Sequence, residues 1–166
     1  MLHRCVPAAL LAALLVTAPQ ASAQQPAAAL AQPGPALPEP ARAAAVAVDA
    51  FHSALRRGDA KAALMLVADD ALVFEEGRVE RSKAEYALHH AGADAAFSKA
   101  VPAKRLRRTG GGTADLAWVA TESRTKGRYN GADVDRIMVE TMILRRDSGA
   151  WKIVHIHWSS ALPATE

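Results

Sequence analysis

The fold of this chain is decided by its C-terminal end, IMVETMILRRDSGAWKIVHIHWSS, which spans residues 137–160. Two runs of alternating residues, 137–146 and 151–159, flank a short Asp-Ser-Gly turn sequence. Alternation with a period of two is typical of β-strands that have one buried face. The segment therefore predicts an antiparallel pair of strands joined by a tight turn.

Segments upstream of this pair extend the strand pattern. Residues 104–108 predict an edge strand, because lysine and arginine discourage unwanted strand pairing. Residues 114–124 predict a longer strand with Trp118 at its centre. The dipeptide Asn130-Gly131 is a hairpin signal, and residues 71–75 are a candidate for a further short strand. We therefore expect four long antiparallel strands in the C-terminal part of the chain.

Three helices are predicted before these strands. Small and apolar residues recur on one helical face over residues 43–57, and Asp59 is placed to cap a second helix. Ser82 and Glu85 have the spacing of a capping box at the start of a third helix, which Gly92 breaks or bends. Three helices followed by four strands predict an α+β fold, with the helices on one face of a bent sheet.

The N-terminus predicts export. A short basic start precedes an apolar run of 11 residues, 6–16, and a small-residue cleavage site ends at Ala23. This arrangement is that of a signal peptide over residues 1–23, and the apolar run is well short of the ~20 residues that cross a bilayer. We expect a secreted or periplasmic mature chain with no membrane span. Cys5 would leave with the signal, so neither a disulfide nor thiolate chemistry is expected.

Composition then divides the rest of the chain. Residues 24–40 are rich in proline and alanine and predict a linker, residues 41–162 predict one folded domain, and residues 163–166 form a tail. The whole chain has a formal net charge of +3. Aromatic residues are not interleaved with the basic run at 104–108, so the pattern argues against a nucleic-acid partner.

The C-terminal segment also resembles known families. It is similar to SnoaL-like and unknown-function families of the nuclear transport factor 2-like superfamily, and to the association (hub) domain of calcium/calmodulin-dependent protein kinase II. The resemblance covers residues 41–162 in element order. The residues that carry it are Arg145, Arg146, Asp147, Gly149, Trp151, Val154, His155, His157 and Ser159.

The resemblance implies a particular architecture. The fold of this superfamily is a cone, in which a curved antiparallel sheet has three N-terminal helices over its concave face. The helices leave a pocket inside the cone, and the outer face of the sheet commonly packs against a second copy. We therefore expect a homodimer formed through the outer sheet face.

The last strand has two faces, because successive side chains point to opposite sides of a sheet. Alternation separates Ile153, His155, His157 and Ser159 from Val154, Ile156 and Trp158. The resemblance implies that Trp158 faces the pocket, where the kinase hub has an arginine that attracts small carboxylates. Ala120 and either Thr141 or Met142 match two further hub arginines. None of these positions is arginine here, so we do not expect the hub's carboxylate chemistry.

Aromatic residues are the strongest candidates for contact with a ligand. Trp118 and Trp158 on neighbouring strands would offer a large apolar wall with N–H donors, and the alternative is that both simply pack in the core. We expect a small-molecule ligand to contact Tyr86, His90, Trp118, Ile156 and Trp158.

The pair His155 and His157 also suggests a metal site. Two imidazoles on one face of a strand lie ~7 Å apart, but a metal needs at least a third ligand. His90, Glu140 or Asp94 would have to supply it, and nothing in the sequence brings them together. We favour packing of the two histidines in the sheet or at an interface, and we expect no metal and little affinity for zinc.

A catalytic site has weaker support. Tyr86, His90 and Asp94 share a face if their helix continues past its glycine. The resemblance extends to ketosteroid isomerases, in which a tyrosine and carboxylic acids in the pocket handle an enolate. Tyr86, Asp94 and Glu140 are therefore the candidates for catalytic residues. The alternatives are that Tyr86 lies in the core and that Glu140 forms an ion pair with a neighbouring basic residue.

Two functions follow from these observations. The first is an exported, dimeric and non-catalytic pocket domain that binds a small, mostly apolar molecule. The second is a small enzyme of the ketosteroid-isomerase or polyketide-cyclase type, an isomerase, cyclase or hydratase that acts on a carbonyl compound. Neither function requires a cofactor. The positions of Tyr86 and Asp94 relative to the pocket distinguish the two.

Overall fold

The computed structural model describes residues 36–164. The predicted signal peptide, most of the linker and the last two residues of the tail lie outside the described residues. The helices within this range are α1 (Ala41–Arg56), α2 (Ala60–Leu64), α3 (Lys83–His89) and α4 (Ala91–Ala100). The strands are β1 (Val67–Glu75), β2 (Arg78–Glu80), β3 (Ala103–Gly112), β4 (Leu116–Tyr129), β5 (Ala132–Asp147) and β6 (Ala150–Ala161). No helix in residues 36–164 combines the length and the apolar character needed to cross a membrane.

The six strands form one curved sheet with the order β2-β1-β6-β5-β4-β3. The β3-β4, β4-β5 and β5-β6 pairs are antiparallel, as predicted, whereas β1 runs parallel to β6. Two tight turns join the long strands, and Asn130, Gly131, Ser148 and Gly149 all have positive φ angles there. Such angles match the right-handed twist of a hairpin. The predicted α+β class and cone-shaped sheet are confirmed.

The helical region differs from the prediction in two places. The spacing of Ala63, Leu64 and Val67 predicts that the second helix includes Val67. The helix instead ends at Leu64, and Val67 is the first residue of β1, where it pairs with Ile153 of the last strand. The predicted third helix is divided into α3 and α4 at His90, whose backbone leaves the helical region. Four helices therefore precede or flank the sheet instead of three.

Helix α1 closes one end of the cone. Its buried face includes Val48, Phe51 and Leu55, which pack toward the concave side of the sheet. The Phe51 ring stacks on Trp158 with a centroid separation of 6.2 Å. On the opposite, convex side of the sheet, Leu72, Phe74, Trp118 and Val139 remain partly exposed.

The strand β6 contains an irregularity that changes which residues share a face. Ile143 pairs with His155, but the next residue, Leu144, pairs with Ile153, so Val154 is an extra residue. A β-bulge of this kind shifts the alternation by one position. Ile153 is therefore buried in the core, and the predicted grouping of Ile153 with His155 on one face is wrong.

Candidate functional site

A cavity of about 210 Å³ opens on the concave side of the sheet. Its lining comes from α1, α4 and the strands β1 and β3–β6. The polar and charged lining residues are Asp49, His52, Arg56, Glu75, Asp94, Ser98, Arg105, Arg108, Thr121, Ser123, Thr125 and Glu140. The rest of the lining is apolar and comes from Leu55, Phe97, Val101, Ala103, Met138 and Trp158. The cavity therefore combines apolar walls with charged groups, and the expected preference for a mostly apolar ligand stays a prediction.

The strand β4 explains why space remains here. Its inward-facing residues begin with Ala117 and Val119, which are buried in the core. Farther along the same face, Thr121, Ser123 and Thr125 line the cavity. Because side chains alternate along a strand, these three short polar residues share a face. Their small size leaves the sheet uncovered between α1 and α4.

One side of the cavity carries two carboxylic acids. Glu75 is the last residue of β1, and Asp94 lies in α4. Burial and the negative charge of Asp94 raise the pKa of Glu75 to about 7. Burial also raises the pKa of Asp94, although a hydrogen bond from Tyr86 and the proximity of His90 oppose this change. Glu75 is therefore poised to gain or lose a proton near neutral pH.

Tyr86 supports this pair from behind the cavity wall. The tyrosine is fully buried, and its hydroxyl donates a hydrogen bond of 2.8 Å to Oδ2 of Asp94. Burial and the charge of Asp94 raise the pKa of the tyrosine hydroxyl, so it remains a donor. Tyr86 fixes the position of Asp94 and does not itself line the cavity.

A third carboxylate, Glu140, lies deeper in the cavity. Nε1 of Trp158 donates to Oε2 of Glu140 at 2.7 Å, and Nε2 of His52 lies 2.7 Å from the same oxygen. Burial acts to raise the pKa of Glu140, but His52, Trp158 and Arg108 more than offset it and hold the pKa below its usual range. The other oxygen, Oε1, is buried and has no hydrogen-bond partner among residues 36–164. A buried carboxylate oxygen without a donor is costly, so this atom is suited to a donor on a ligand.

The opposite side of the cavity carries arginines. Nη1 of Arg108 lies 2.7 Å from Oδ1 of Asp49, and Nε of Arg108 donates to Oγ1 of Thr121 at 3.1 Å. Nη1 of Arg105 lies 3.4 Å from the same Asp49 oxygen. The cavity thus has a cationic side and an acidic side.

A second bulge brings these two arginines to the cavity. Arg105 pairs with Ser123 and Arg107 pairs with Glu122, so Leu106 is an extra residue in β3. Without the bulge, strict alternation would place Arg105 and Arg107 on one face. The sequence pattern predicted an edge strand here, which β3 is, but it missed Arg105 and Arg108 as cavity residues.

The predicted site residues are divided among three locations. Trp158, Asp94 and Glu140 line the cavity. Tyr86 and Ile156 are fully buried behind its wall. His90 does not line the cavity, and its Nδ1 lies 2.6 Å from a carboxylate oxygen of Glu80 without forming a well-aligned hydrogen bond. The contact of each residue with a ligand stays a prediction.

Trp118 requires a correction. Its side chain is 42% exposed on the convex face of the sheet, and it does not line the cavity. Its neighbours Ala117 and Val119 occupy the inward positions of β4 because small side chains are needed beneath α1. The expectation that Trp118 shares the pocket face with Trp158 is wrong.

His155 and His157 also lie on the convex face. Their ring centroids are 6.5 Å apart, and the Phe74 ring packs edge-on against both. Nδ1 of His155 lies 3.1 Å from the carbonyl oxygen of Leu72. Over residues 36–164, no group of three or more His, Cys, Asp or Glu side chains is arranged to hold a metal ion.

Two further cavity residues were missed from sequence. Glu75 is the last residue of β1, whose inward-facing residues include Ala71 and Val73. Continuing that alternation places Glu75 inside the cone. His52 follows the core residue Phe51 on α1, and the sequence offers no comparable signal for it. Strand alternation could therefore have identified Glu75 from the sequence, whereas the position of His52 depends on the angle at which α1 packs.

Comparison with known proteins agrees with this geometry. The SnoaL-like domain family matches residues 45–163. This chain belongs to the SnoaL-like family. It has the fold of the nuclear transport factor 2-like superfamily. No curated protein matches the chain.

Solved structures with the same fold carry different assignments. A provisionally assigned ketosteroid isomerase from Shewanella frigidimarina is 35% identical, with a TM-score of 0.69, and the match covers 75% of this chain and all of that one (100%). A provisionally assigned calcium/calmodulin-dependent protein kinase II association domain from Xanthomonas campestris is 21% identical, with a TM-score of 0.66, over 79% of this chain and 96% of that one. A provisionally assigned dehydratase from Streptomyces avermitilis is 20% identical, with a TM-score of 0.64, over 76% of this chain and 100% of that one.

The raised pKa of Glu75 predicts a pH-dependent stability. The carboxyl group of Glu75 ionises near pH 4.5 in the unfolded state and near pH 7 in the folded state. Between these two pH values the folded state therefore binds more protons than the unfolded state. The free energy of unfolding should therefore fall as pH rises from about 4.5 to about 7. Complete burial would make the loss about 3 kcal/mol, and solvent screening at this half-buried group reduces it to about 1–2 kcal/mol.

Urea denaturation of the wild type and Glu75→Gln between pH 5 and pH 8 measures this effect. Glutamine cannot ionise, so the variant should lose less stability over the interval than the wild type. Asp133→Asn, which removes an exposed carboxylate from the β4–β5 hairpin, should behave like the wild type. Parallel curves for wild type and Glu75→Gln would rule out a raised pKa at Glu75.

Proposed function

We propose that this chain is an exported domain whose cavity binds a small carbonyl compound and transfers a proton within it. The observation that carries the proposal is Glu75, a cavity carboxyl with a pKa of about 7, beside the Asp94–Tyr86 hydrogen bond. General acid–base catalysis is most efficient when the pKa of the catalytic group lies near the working pH. The 35% identity to a provisionally assigned ketosteroid isomerase supports the same class of reaction.

Each cavity carboxyl has a distinct part in this proposal. Glu75 abstracts a proton from the carbon next to the carbonyl group and returns it elsewhere. Burial, together with the charge of Asp94 that Tyr86 positions, keeps the pKa of Glu75 near 7. Glu140 presents its unpartnered Oε1 to any hydroxyl or amine hydrogen that the ligand carries. In many acid–base enzymes, the carboxyl groups of one cavity have different pKa values.

The size of the cavity limits the ligand. Pockets for drug-sized molecules have volumes of about 300–1,000 Å³, whereas this cavity has about 210 Å³. We infer that the natural compound is smaller than a steroid. We therefore propose the reaction class of the ketosteroid isomerases for this chain, but not a steroid substrate.

Deuterium exchange tests the reaction without knowledge of the substrate. Short ketones and oxo acids are incubated with the mature domain in deuterium oxide, and loss of the proton signal next to the carbonyl group is followed by NMR. We expect exchange above the buffer rate for at least one compound, at a rate that increases with protein concentration. Absence of enzyme-dependent exchange across compounds that bind would refute proton transfer.

A non-catalytic pocket is the second candidate. The hydroxyl of Tyr86 is committed to Asp94, and two groups already converge on Oε2 of Glu140. These contacts leave few free donors to stabilise an enolate. Saturable binding of a carbonyl compound, without exchange of its protons, would favour this candidate over the enzyme.

Export is part of the proposal. The basic start, the apolar run at 6–16 and the cleavage motif ending at Ala23 are the supporting features. Expression of the full chain in a bacterium, followed by fractionation and intact-mass measurement, should give a periplasmic protein that begins at Gln24. A full-length chain retained in the cytoplasm would contradict export.

We also propose a dimer through the convex sheet face. Leu72, Phe74, Trp118 and Val139 expose apolar surface there, and a stable interface buries about 800 Å² per partner. Light scattering at tens of micromolar should give the mass of a dimer, and Phe74→Glu should give a monomer because it buries an unpaired charge. Val46→Glu, on the exposed face of α1, should remain a dimer. A monomeric wild type would disprove the proposal.

A further inference from the structure

We propose that Arg105 and Arg108 form an anion subsite that Asp49 occupies when the cavity is empty of ligand, and that a carboxylate on the ligand displaces Asp49. The ligand class is then an oxo acid with its carboxylate at the arginines and its carbonyl group farther along the molecule, toward Glu75. The two ends are separated, because Glu75 and Arg108 lie at opposite ends of one row of paired residues across five strands. The inference rests on the proposed function, because it names the substrate class of the same cavity.

Arg108 provides the first step of the argument. Its side chain is only 10% exposed, and a charged group that is nearly buried requires an ionic or hydrogen-bonded partner. Thr121 and Asp49 supply two such partners, at 3.1 Å and 2.7 Å. Because the guanidinium lines the cavity, an anion inside the cavity can take the place of one of them.

Asp49 is the partner that can be replaced. Its side chain is 56% exposed at the rim, and one of its oxygens, Oδ1, contacts both Arg105 and Arg108. Ion pairs with an exposed partner contribute little to stability, so releasing Asp49 to solvent costs little. A ligand carboxylate in the cavity is more sheltered from water and can bind the planar guanidinium through both oxygens.

The arrangement of charges across the cavity indicates which chemical group lies at the other end of the ligand. The arginines come from β3, whereas Glu75 and Asp94 come from β1 and α4. A second negative group near the two carboxyls would be repelled, so that end of the ligand is a neutral oxygen function. These arginines also lie outside the positions matched to the kinase hub, all of which are uncharged here.

Paired ligands test the subsite. Binding of pyruvate, 2-oxobutanoate, 4-oxopentanoate and 5-oxohexanoate, and of the corresponding amides, is measured by protein NMR on the wild-type domain. We expect at least one acid to bind about tenfold more tightly than its amide. Arg108→Gln should remove that preference. If no acid binds more tightly than its amide, the proposal is wrong.

Asp49→Asn provides a second test, in which the expected result is tighter binding and therefore cannot be due to misfolding. Removing the competing carboxylate should tighten binding of the preferred acid about three- to tenfold and leave amide binding unchanged. Asp133→Asn removes the same charge at the β4–β5 hairpin and should change neither. Unchanged or weaker acid binding in Asp49→Asn would overturn the displacement. Because these assays measure affinity alone, a preference for acids without proton exchange would refute the proposed reaction but not the subsite.

Discussion

Glu75→Gln is expected to slow proton exchange in a bound carbonyl compound by about 10²- to 10⁴-fold, the usual contribution of one general acid–base group. Glutamine keeps the shape of the side chain but cannot accept a proton. In the wild type the carboxyl must be ionised to act as a base, so the exchange rate should rise with pH and level off above about pH 7, the pKa of this group. The variant should have no such rise.

Exchange rates and affinities measured from pH 5 to pH 9 separate the chemical step from binding. Ligand affinity should change by less than about threefold, because the arginine side of the cavity is intact. Asp133→Asn serves as the matched control, and its pH profile should match that of the wild type. A Glu75→Gln protein that exchanges protons at the wild-type rate would exclude Glu75 as the base.

Phe51→Ala is expected to lower the free energy of unfolding by about 3–5 kcal/mol, the range for phenylalanine truncation in a core. Phe51 is fully buried on α1, stacks on Trp158 at 6.2 Å and meets the His52 ring edge-on at 5.6 Å. Truncation leaves a void between α1 and the sheet. It also removes the surface that holds Trp158 against Glu140.

Urea denaturation at pH 5 measures this loss while Glu75 is still protonated. Val46→Ala is the control on the same helix, because Val46 is 68% exposed and its truncation should change stability by no more than about 0.5 kcal/mol. A loss below about 1 kcal/mol in Phe51→Ala would mean that α1 is not packed on the sheet as described.

The sequence predicted the elements of this fold better than the faces they present. The two long hairpins follow from turn residues, Asn130-Gly131 and Ser148-Gly149, whose backbone preferences are local. The bulges at Leu106 and Val154 follow from no such local signal. Since one extra residue exchanges the two faces of a strand, both the arginine side of the cavity and the burial of Ile153 escaped prediction.

Trp118 shows that the type of a residue does not by itself predict which face of a strand it occupies. Its size and apolar character favour the interior by composition, but α1 approaches β4 closely at Ala117 and Val119. Because Ala117 and Val119 occupy the buried positions on either side of it, alternation places Trp118 on the convex face. Asp94 and Glu140, the candidate catalytic acids, do lie in the cavity, and their catalytic role stays a prediction. Their opposite pKa directions depend on the folded chain, because burial raises the pKa of Asp94 whereas His52 and Trp158 help to lower that of Glu140.

The position of β6 has a consequence for how the chain acquires its structure. This last strand lies between β1 and β5, so the first strand has no long partner until the C-terminus is available. The pairing of Val67 with Ile153 joins distant parts of the chain, and such contacts form slowly because a long loop must close first. A ribosome-bound or prematurely terminated chain would hold two unconnected groups of strands. The sheet would therefore close only after synthesis of the last strand is complete.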